Sequence, residues 1–461
     1  MLVPRRSLLI LIGAGLLPLA VASGLRPALA GPVAAVAALV GVAAAADAWA
    51  GRRRGGAEVA FRFPEVVRLA KGREGGVEFV LAHTRPGRPA RSLRLGLALP
   101  EAVGTANEER DLRLAPGAER TAFTWPLLGL QRGRFPLERL YYRESSPLGL
   151  WDVRRSQALD CELRVYPDLR AERRRAAAVF LSRQGLGTHA QHQVGRGRDF
   201  EKLRDYVAGD SIEDISWKAT ARRQKPVSKV FQVERTQEIY VLLDASRLSG
   251  RPVEGDTPSD VSGPAAVAAP TILERYVSTA LLLCQAAERQ GDLFGLGTFA
   301  AGMRTFLRAK NGPAHFDACR EAIYALEPAA ESPDFDEWTT FLRLRLRRRA
   351  LLVVLTALDD ALQAEALTRA VERVARQHVV IVGGLRPAEV APLFADADGG
   401  AAVTGTEDVY RRLGGHLHWQ RLRERELLLR RAGARVALLD PERMTEQLVA
   451  QYLNVKRRQI L

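Results

Sequence analysis

The sequence predicts a two-helix membrane hairpin followed by a β-sandwich and by an α/β domain built on a doubly wound sheet. Three observations carry this expectation. Two long apolar stretches open the chain, a middle region is made of short runs of alternating polarity, and the C-terminal half alternates apolar strands with amphipathic helices. The corresponding boundaries are 1–56 for the hairpin and its basic flank, 57–167 for the sandwich, 168–236 for a connector and 237–461 for the α/β domain.

The first apolar stretch runs from Ser7 to Ser23 without a charge, and the second from Ala28 to Ala50 is broken only by Asp47. Each is about long enough to cross the hydrocarbon layer as a helix. Gly24 to Pro27, with Gly31-Pro32 beyond, marks a tight turn between them. Arg5 and Arg6 precede the first span, Arg26 sits alone in the turn, and Arg52, Arg53 and Arg54 follow the second. Arginine flanks of this kind place both the N-terminus and the main body in the cytoplasm, in a two-pass arrangement in the bacterial inner membrane. The alternative is a cleaved signal peptide, because Arg5-Arg6, the Leu-rich run and Ala28-Leu29-Ala30 have its three-part pattern. In that case the second stretch and its arginine flank remain.

A chain of 461 residues buries full-sized cores without staples. Cys161, Cys284 and Cys319 are far apart and lack C-x-x-C or Cys/His spacing, which argues against a disulfide framework and against zinc. The net charge of +15 raises nucleic acid or anionic lipid as partners. The positive charge is spread over every region, however, with no Arg/Lys stripe interleaved with aromatics and no zinc-finger or RNA-recognition pattern, so nucleic acid is an unlikely partner.

Between Ala57 and Pro167 the runs GVEFVLAH, SLRLGLAL and TAFTWPLL have strand-like period-two character and are separated by Gly and Pro. Several such strands suggest an immunoglobulin-like sandwich. Arg132-Gly133-Arg134-Phe135 reads as a turn before a strand. Ser146-Pro147-Leu148-Gly149-Leu150-Trp151 reads as a turn that presents a large aromatic, best explained as a corner of the sandwich core.

Residues 197 to 223 are a dense mixture of acidic, basic and aromatic side chains. Asp210 or Ser211 can cap a helix with Glu213 and Asp214 in its first turn and Ile212, Ile215 and Ala219 on one face, stopped by Gln224-Lys225-Pro226. Arg204 and Arg222 have Asp210, Glu213 and Asp214 available for a buried or half-buried ion-pair network. Phe200, Leu203, Arg204, Tyr206, Gly209, Asp210, Ile215, Trp217, Ala221 and Arg222 fall at the fixed positions of G-x-x-F-x-x-L-R-x-Y-x-x-G-D-x-x-x-x-I-x-W-x-x-x-A-R, and Lys218 lies beside them. This pattern resembles the signature of the bacterial "domain of unknown function 58" family. The hairpin, the RGRF and SPLGLW landmarks, Val165-Tyr166-Pro167 and the C-terminal YLNVK extend the resemblance over the rest of the chain.

The resemblance implies an α/β von Willebrand factor A-like domain after the signature, joined to the β-sandwich and the N-terminal transmembrane helical hairpin. It also implies a MoxR-type AAA+ ATPase as partner, in the assembly or activation of membrane or cell-envelope complexes. From Gln237 onward the strand and helix runs fit a mostly parallel sheet, whose ligands gather at the carboxyl ends of the strands. There Asp244-Ala245-Ser246 is similar to the start of the D-x-S-x-S of a metal-ion-dependent adhesion site, where hard oxygens hold Mg²⁺. Leu248 stands where the second serine belongs, with Ser249 one residue on. Pro333 precedes Asp334 where a threonine is expected, and Ala357 replaces the aspartate in Thr356-Ala357-Leu358-Asp359. Asp244 and Ser246 therefore form a degenerate site, and no resident cofactor is expected.

No nucleophile and base pair is apparent, and His189 and His192 lie in a Gly/Gln-rich stretch without metal-ligand company. The expectation is a non-enzymatic, membrane-anchored adaptor. Two alternatives stay open: a metal-dependent hydrolase, which requires Asp244, Asp359 and Asp360 to converge, and a binder of anionic lipid or nucleic acid through Arg52–Arg54 and the arginine-rich helices.

Overall fold

The computed structural model describes residues 1–54, 59–83, 91–114, 120–175, 177, 194–207, 211–232, 237–253, 269–387, 390–393 and 405–458. The chain divides into two compact units, the first comprising Met1–Asp168 and the second starting at Leu169.

The first unit opens with a short strand β1 (Leu2–Pro4) and two apolar helices, α1 (Arg6–Leu25) and α2 (Ala30–Arg54). Leu9, Ile10, Val36, Leu39 and Val42 project from them unburied. Exposed apolar surface of this kind marks a membrane or protein contact, and the lengths suit a bilayer crossing. The two apolar N-terminal helices therefore have the character of a membrane anchor.

Among the described residues nine further strands follow: β2 (Val59–Arg62), β3 (Val66–Ala70), β4 (Glu74–His83), β5 (Arg91–Leu97), β6 (Val103–Gly104), β7 (Glu109–Leu114), β8 (Arg120–Gly129), β9 (Gly133–Ser145) and β10 (Trp151–Tyr166). One sheet has the order β1-β10-β9-β5-β7, with β3 parallel to the far end of β10, and the other has the order β2-β4-β8-β6. Phe79, Trp125 and Leu127 from the second sheet and Leu93, Leu95, Leu137 and Leu163 from the first belong to one buried cluster. Period-two alternation puts these side chains on one face of each strand. The turn expected at Arg132-Gly133 is present, and Gly133 has φ +147°, a conformation that L side chains rarely adopt. The strands are not uniformly short: β9 and β10 run 13 and 16 residues and pair with a register shift between Ala158 and Cys161.

In the second unit β11 (Val194–Asp205) and β12 (Val227–Gln232) form an antiparallel pair with a one-turn 3₁₀ segment, Ile212–Asp214, and helix α3 (Trp217–Arg223) between them. The main sheet follows, built from β13 (Glu238–Asp244), β14 (Leu293–Phe299), β15 (Met303–Lys310), β16 (Leu351–Leu355), β17 (Val379–Leu385) and β18 (Arg435–Leu439). Its order is β15-β14-β13-β16-β17-β18, parallel except for β15. The first strand thus lies inside the sheet and the chain winds outward in both directions, which is the doubly wound order. This is the doubly wound arrangement expected from the alternating pattern, and it agrees with the von Willebrand factor A-like α/β domain that the resemblance implies.

Helices α4 (Ile272–Arg289), α5 (Pro313–Ile323), α6 (Phe335–Arg345), α7 (Ala361–Val374), α8 (Thr406–Arg431) and α9 (Met444–Arg457) complete the unit. One core cluster joins α4, α5 and α9 to the sheet, and another joins α6, α7 and α8. Burial on both faces explains why β13 and β16 read as continuous apolar runs. Thr271 and Glu274 form a reciprocal capping box that fixes the start of α4.

Candidate functional site

Two places concentrate chemistry-bearing residues in the second unit: the signature surface and the carboxyl end of β13. The signature does not form the single helix expected from Asp210 or Ser211. Ile215 is extended at ψ 127°, bridges Ser228 of β12, and separates the 3₁₀ turn from α3. A β-branched residue beside a free strand edge gains a ladder partner there, and that pairing overrides the helical pattern. The helix does stop where expected, with Gln224 in the left-handed region at φ 56° and its N–H donating to Thr220 O.

Of the residues in the expected ion-pair network, Arg204, Arg222 and Glu213 are exposed, while Asp210 and the Asp214 side chain lie outside the described residues. What docks the segment after Leu169 onto the α/β core is different. Leu169 joins the core cluster, Glu172 pairs with Arg275 at 3.0 Å, and Arg175 donates to Glu442 O. Burial pushes the Glu172 carboxyl up, opposed by the Arg275 guanidinium.

Of the signature residues, Phe200 stands in β11 opposite Phe231 of β12, Tyr206 N–H donates to Pro226 O at 2.9 Å, and Gly209 and Asp210 lie outside the described residues. Trp217 is 68% exposed and Ile212 71%. Val207, Leu203, Arg204, Lys218 and Arg222 are exposed with them. The result is a mixed apolar and cationic surface carried on a two-stranded ribbon.

At the end of β13, Asp244 is 1% exposed. Its Oδ1 accepts from Ser246 N–H at 2.8 Å and its Oδ2 from the Thr356 hydroxyl at 2.5 Å. Parallel pairing of β13 with β16 brings Thr356, just past β16, to the same end of the sheet. Burial pushes the Asp244 carboxyl up, against these hydrogen bonds. Ser246 Oγ is buried and makes no hydrogen bond of good geometry, nor does the hydroxyl of buried Tyr276. Burial, with Asp244 and Asp359 nearby, drives that phenol well above its usual range.

The remaining candidate ligands are committed elsewhere. Leu248 is buried in the place of a serine, and Ser249 Oγ donates to Ser246 O at 2.7 Å. Asp359 pairs with Arg251 at 2.9 Å. Asp334 caps α6, and Asp360 caps α7 by accepting from Leu362 and Gln363 N–H. Among the described residues no group of three or more His, Cys, Asp or Glu is placed to hold a metal ion. A hexacoordinate Mg²⁺ would find one carboxylate, already accepting at both oxygens, and one free hydroxyl. The donor set does not fit a tightly held ion, and the convergence that a metal-dependent hydrolase requires is not met.

Residues 202–393 match the model of a family described as "Protein of unknown function DUF58". The match spans less than half of the chain. It covers most of the signature and the α/β domain as far as the chain just beyond β17. No curated protein matches the chain. Among solved structures, the chain is similar to the SpRpn10 VWA domain, at 13% identity and TM-score 0.27 over 47% of this chain and 95% of that one. It is also similar to the conserved hypothetical protein BatB from Bacteroides thetaiotaomicron, at 16% and 0.29 over 48% and 99%. A third likeness is to an aerotolerance-related membrane protein from Bacteroides fragilis NCTC 9343, at 15% and 0.27 over 47% and 98%. At these scores the fold assignment rests on strand order and register instead.

The feature that sequence reasoning missed lies in the first unit. Asp47, on α2, is 2% exposed, yet the loop Ser146–Trp151 encloses it. Its Oδ2 accepts from the Ser146 hydroxyl at 2.5 Å and from Leu150 N–H at 3.2 Å, and its Oδ1 accepts from Leu148 N–H at 2.8 Å. Trp151 Nε1 donates to Ala44 O, and Arg5 N–H donates to Leu150 O. Leu2, Val3 and Pro4 pair with Val153, Asp152 and Trp151. The SPLGLW turn is therefore a clasp on both anchor helices and not a corner of the sheet core. The signal available in the sequence was a lone acid in an otherwise apolar span.

Proposed function

We propose that this DUF58 protein is a membrane-anchored adaptor that presents its signature surface to another protein, a MoxR-type AAA+ ATPase acting on cell-envelope complexes. One observation carries the reading: the signature keeps Trp217 and Ile212 exposed beside Lys218 and Arg222. Large aromatics and arginines left in solvent are the residue types that anchor protein interfaces. A two-stranded ribbon is marginal alone and gains from a partner that covers it.

The arginine flanks of the hairpin favour a cytoplasmic body, where such an ATPase resides. The proposed role is non-catalytic; among the described residues no group of three or more His, Cys, Asp or Glu is placed to hold a metal ion. Affinity purification of the full chain from membranes is expected to enrich an AAA+ ATPase, and Trp217→Ala to lose it. Equal recovery with Trp217→Ala, or no AAA+ ATPase in the wild-type sample, overturns the proposal.

A further inference from the structure

The clasp around Asp47 places a loop of the β-rich unit at an unusual depth along the anchor. From Pro27 to Asp47 the chain climbs about twenty residues, roughly 30 Å at 1.5 Å per residue. That is about the thickness of the hydrocarbon layer. Asp47 therefore sits at the edge of that layer when the turn at Pro27 sits at the opposite edge. Arg52 and Arg53 lie about a turn and a half further out, roughly 7.5 Å. Ser7, one residue into α1, is at the same level as the loop, because its hydroxyl donates to Gly149 O.

The loop is built for such a place. Its N–H groups are all engaged: Ser146 with Trp151 O, Leu148 and Leu150 with Asp47, Gly149 with Ser146 O, and Trp151 with Ser146 Oγ. Among its carbonyls, Gly149 O takes the Ser7 hydroxyl and Leu150 O takes Arg5 N–H. Internal pairing of backbone donors is what an apolar medium demands and water does not. Pro147 and Leu148 are the exposed tip, Leu148 at 66%. Exposed cations lie at the ends of the anchor helices that the loop clasps, Arg5 and Arg6 at the start of α1 and Arg52 and Arg53 at the end of α2, the last stacked 4.0 Å over the Trp49 ring.

We propose that the loop Ser146–Trp151 dips into the membrane beside the hairpin, inserting Leu148 at the acyl boundary while the arginines at the ends of the anchor helices meet lipid phosphates. The occupant of this surface is lipid, since the tip continues the exposed apolar surface of the hairpin. Arginine at headgroup level and tryptophan at the interface are the usual anchors of such a contact. The proposal rests on the reading that the hairpin spans a bilayer.

The test uses the full chain in vesicles of phosphatidylcholine and phosphatidylglycerol. An environment-sensitive fluorophore is attached singly at Leu148→Cys, Leu39→Cys or Arg154→Cys, the native cysteines being buried. The 148 label is expected to emit to the blue of the 154 label, to be quenched by a shallow spin-labelled lipid and to resist aqueous iodide. A 148 label that behaves like the 154 label, while the 39 label is quenched by lipid, overturns the proposal and leaves the spanning hairpin standing. A 39 label open to iodide overturns both.

Discussion

Asp47 and Asp244 are both carboxylates buried to within a few per cent, and their surroundings differ in kind. Asp47 accepts three hydrogen bonds, from Ser146, Leu148 and Leu150, each of which ties the anchor helix to a loop about a hundred residues away in sequence. Asp244 accepts two, from Ser246 N–H and the Thr356 hydroxyl, both close by at the same end of the sheet. The first carboxylate joins two parts of a unit. The second is held by donors at the carboxyl end of a single sheet. Burial alone does not tell what a carboxylate does; the donors that converge on it do.

The largest effect that separates them is expected from Asp47→Ala, which leaves two N–H groups and a hydroxyl without an acceptor and lowers the stability of the first unit by about 3 kcal/mol or more. Asp47→Asn breaks the comparison more sharply. With donors facing both oxygens through Leu148 and Leu150, an amide N–H has to meet another N–H or displace the serine, and a loss of about 1–2 kcal/mol is expected. Thermal unfolding in detergent measures both, and an unchanged Asp47→Asn removes the clasp from the account.

Asp244→Asn is expected to act in the opposite sense, because an asparagine can accept from Ser246 N–H and donate to Thr356. The Asp244 carboxyl is pushed up by burial, so its folded-state pKa lies above the unfolded one. Stability associated with the protonated form is present below the unfolded pKa and lost as pH rises through the folded pKa. The variant should therefore match the parent in acid and unfold at a higher temperature near neutrality. A lower melting temperature at pH 7 contradicts this expectation, and a Mg²⁺-dependent rise confined to the parent points to a metal site at Asp244.

A smaller effect is expected from Gly149→Ala. Gly149 has φ +71°, and a left-handed conformation costs an L side chain about 1–2 kcal/mol. The smallest belongs to Trp217→Ala, whose indole is mostly in solvent and whose removal should change stability by no more than about 0.5 kcal/mol. A larger loss there makes the signature a structural element and moves it out of the contrast between packing and presentation.

The hairpin was legible because length and apolarity alone decide whether a helix suits a bilayer. The order of strands and helices in the second unit was legible because buried parallel strands and amphipathic helices leave opposite periodicities. Asp244, Ser246, Leu248 and Ala357 could be read as a depleted site from spacing within two short segments. The signature was readable as a pattern and not as a shape, since Ile215 has equal claim on a helix face and on a strand edge until β12 is beside it.

By itself the sequence determined the two apolar N-terminal helices and the α/β order of the second unit, both of which follow from local composition and period. Only the tertiary structure decided that Asp47 is a clasp, that SPLGLW grips the anchor and that Trp217 faces outward. The hydrogen bond between Asp47 and Ser146 spans 99 positions, and no local pattern records which distant donors a buried acid will meet.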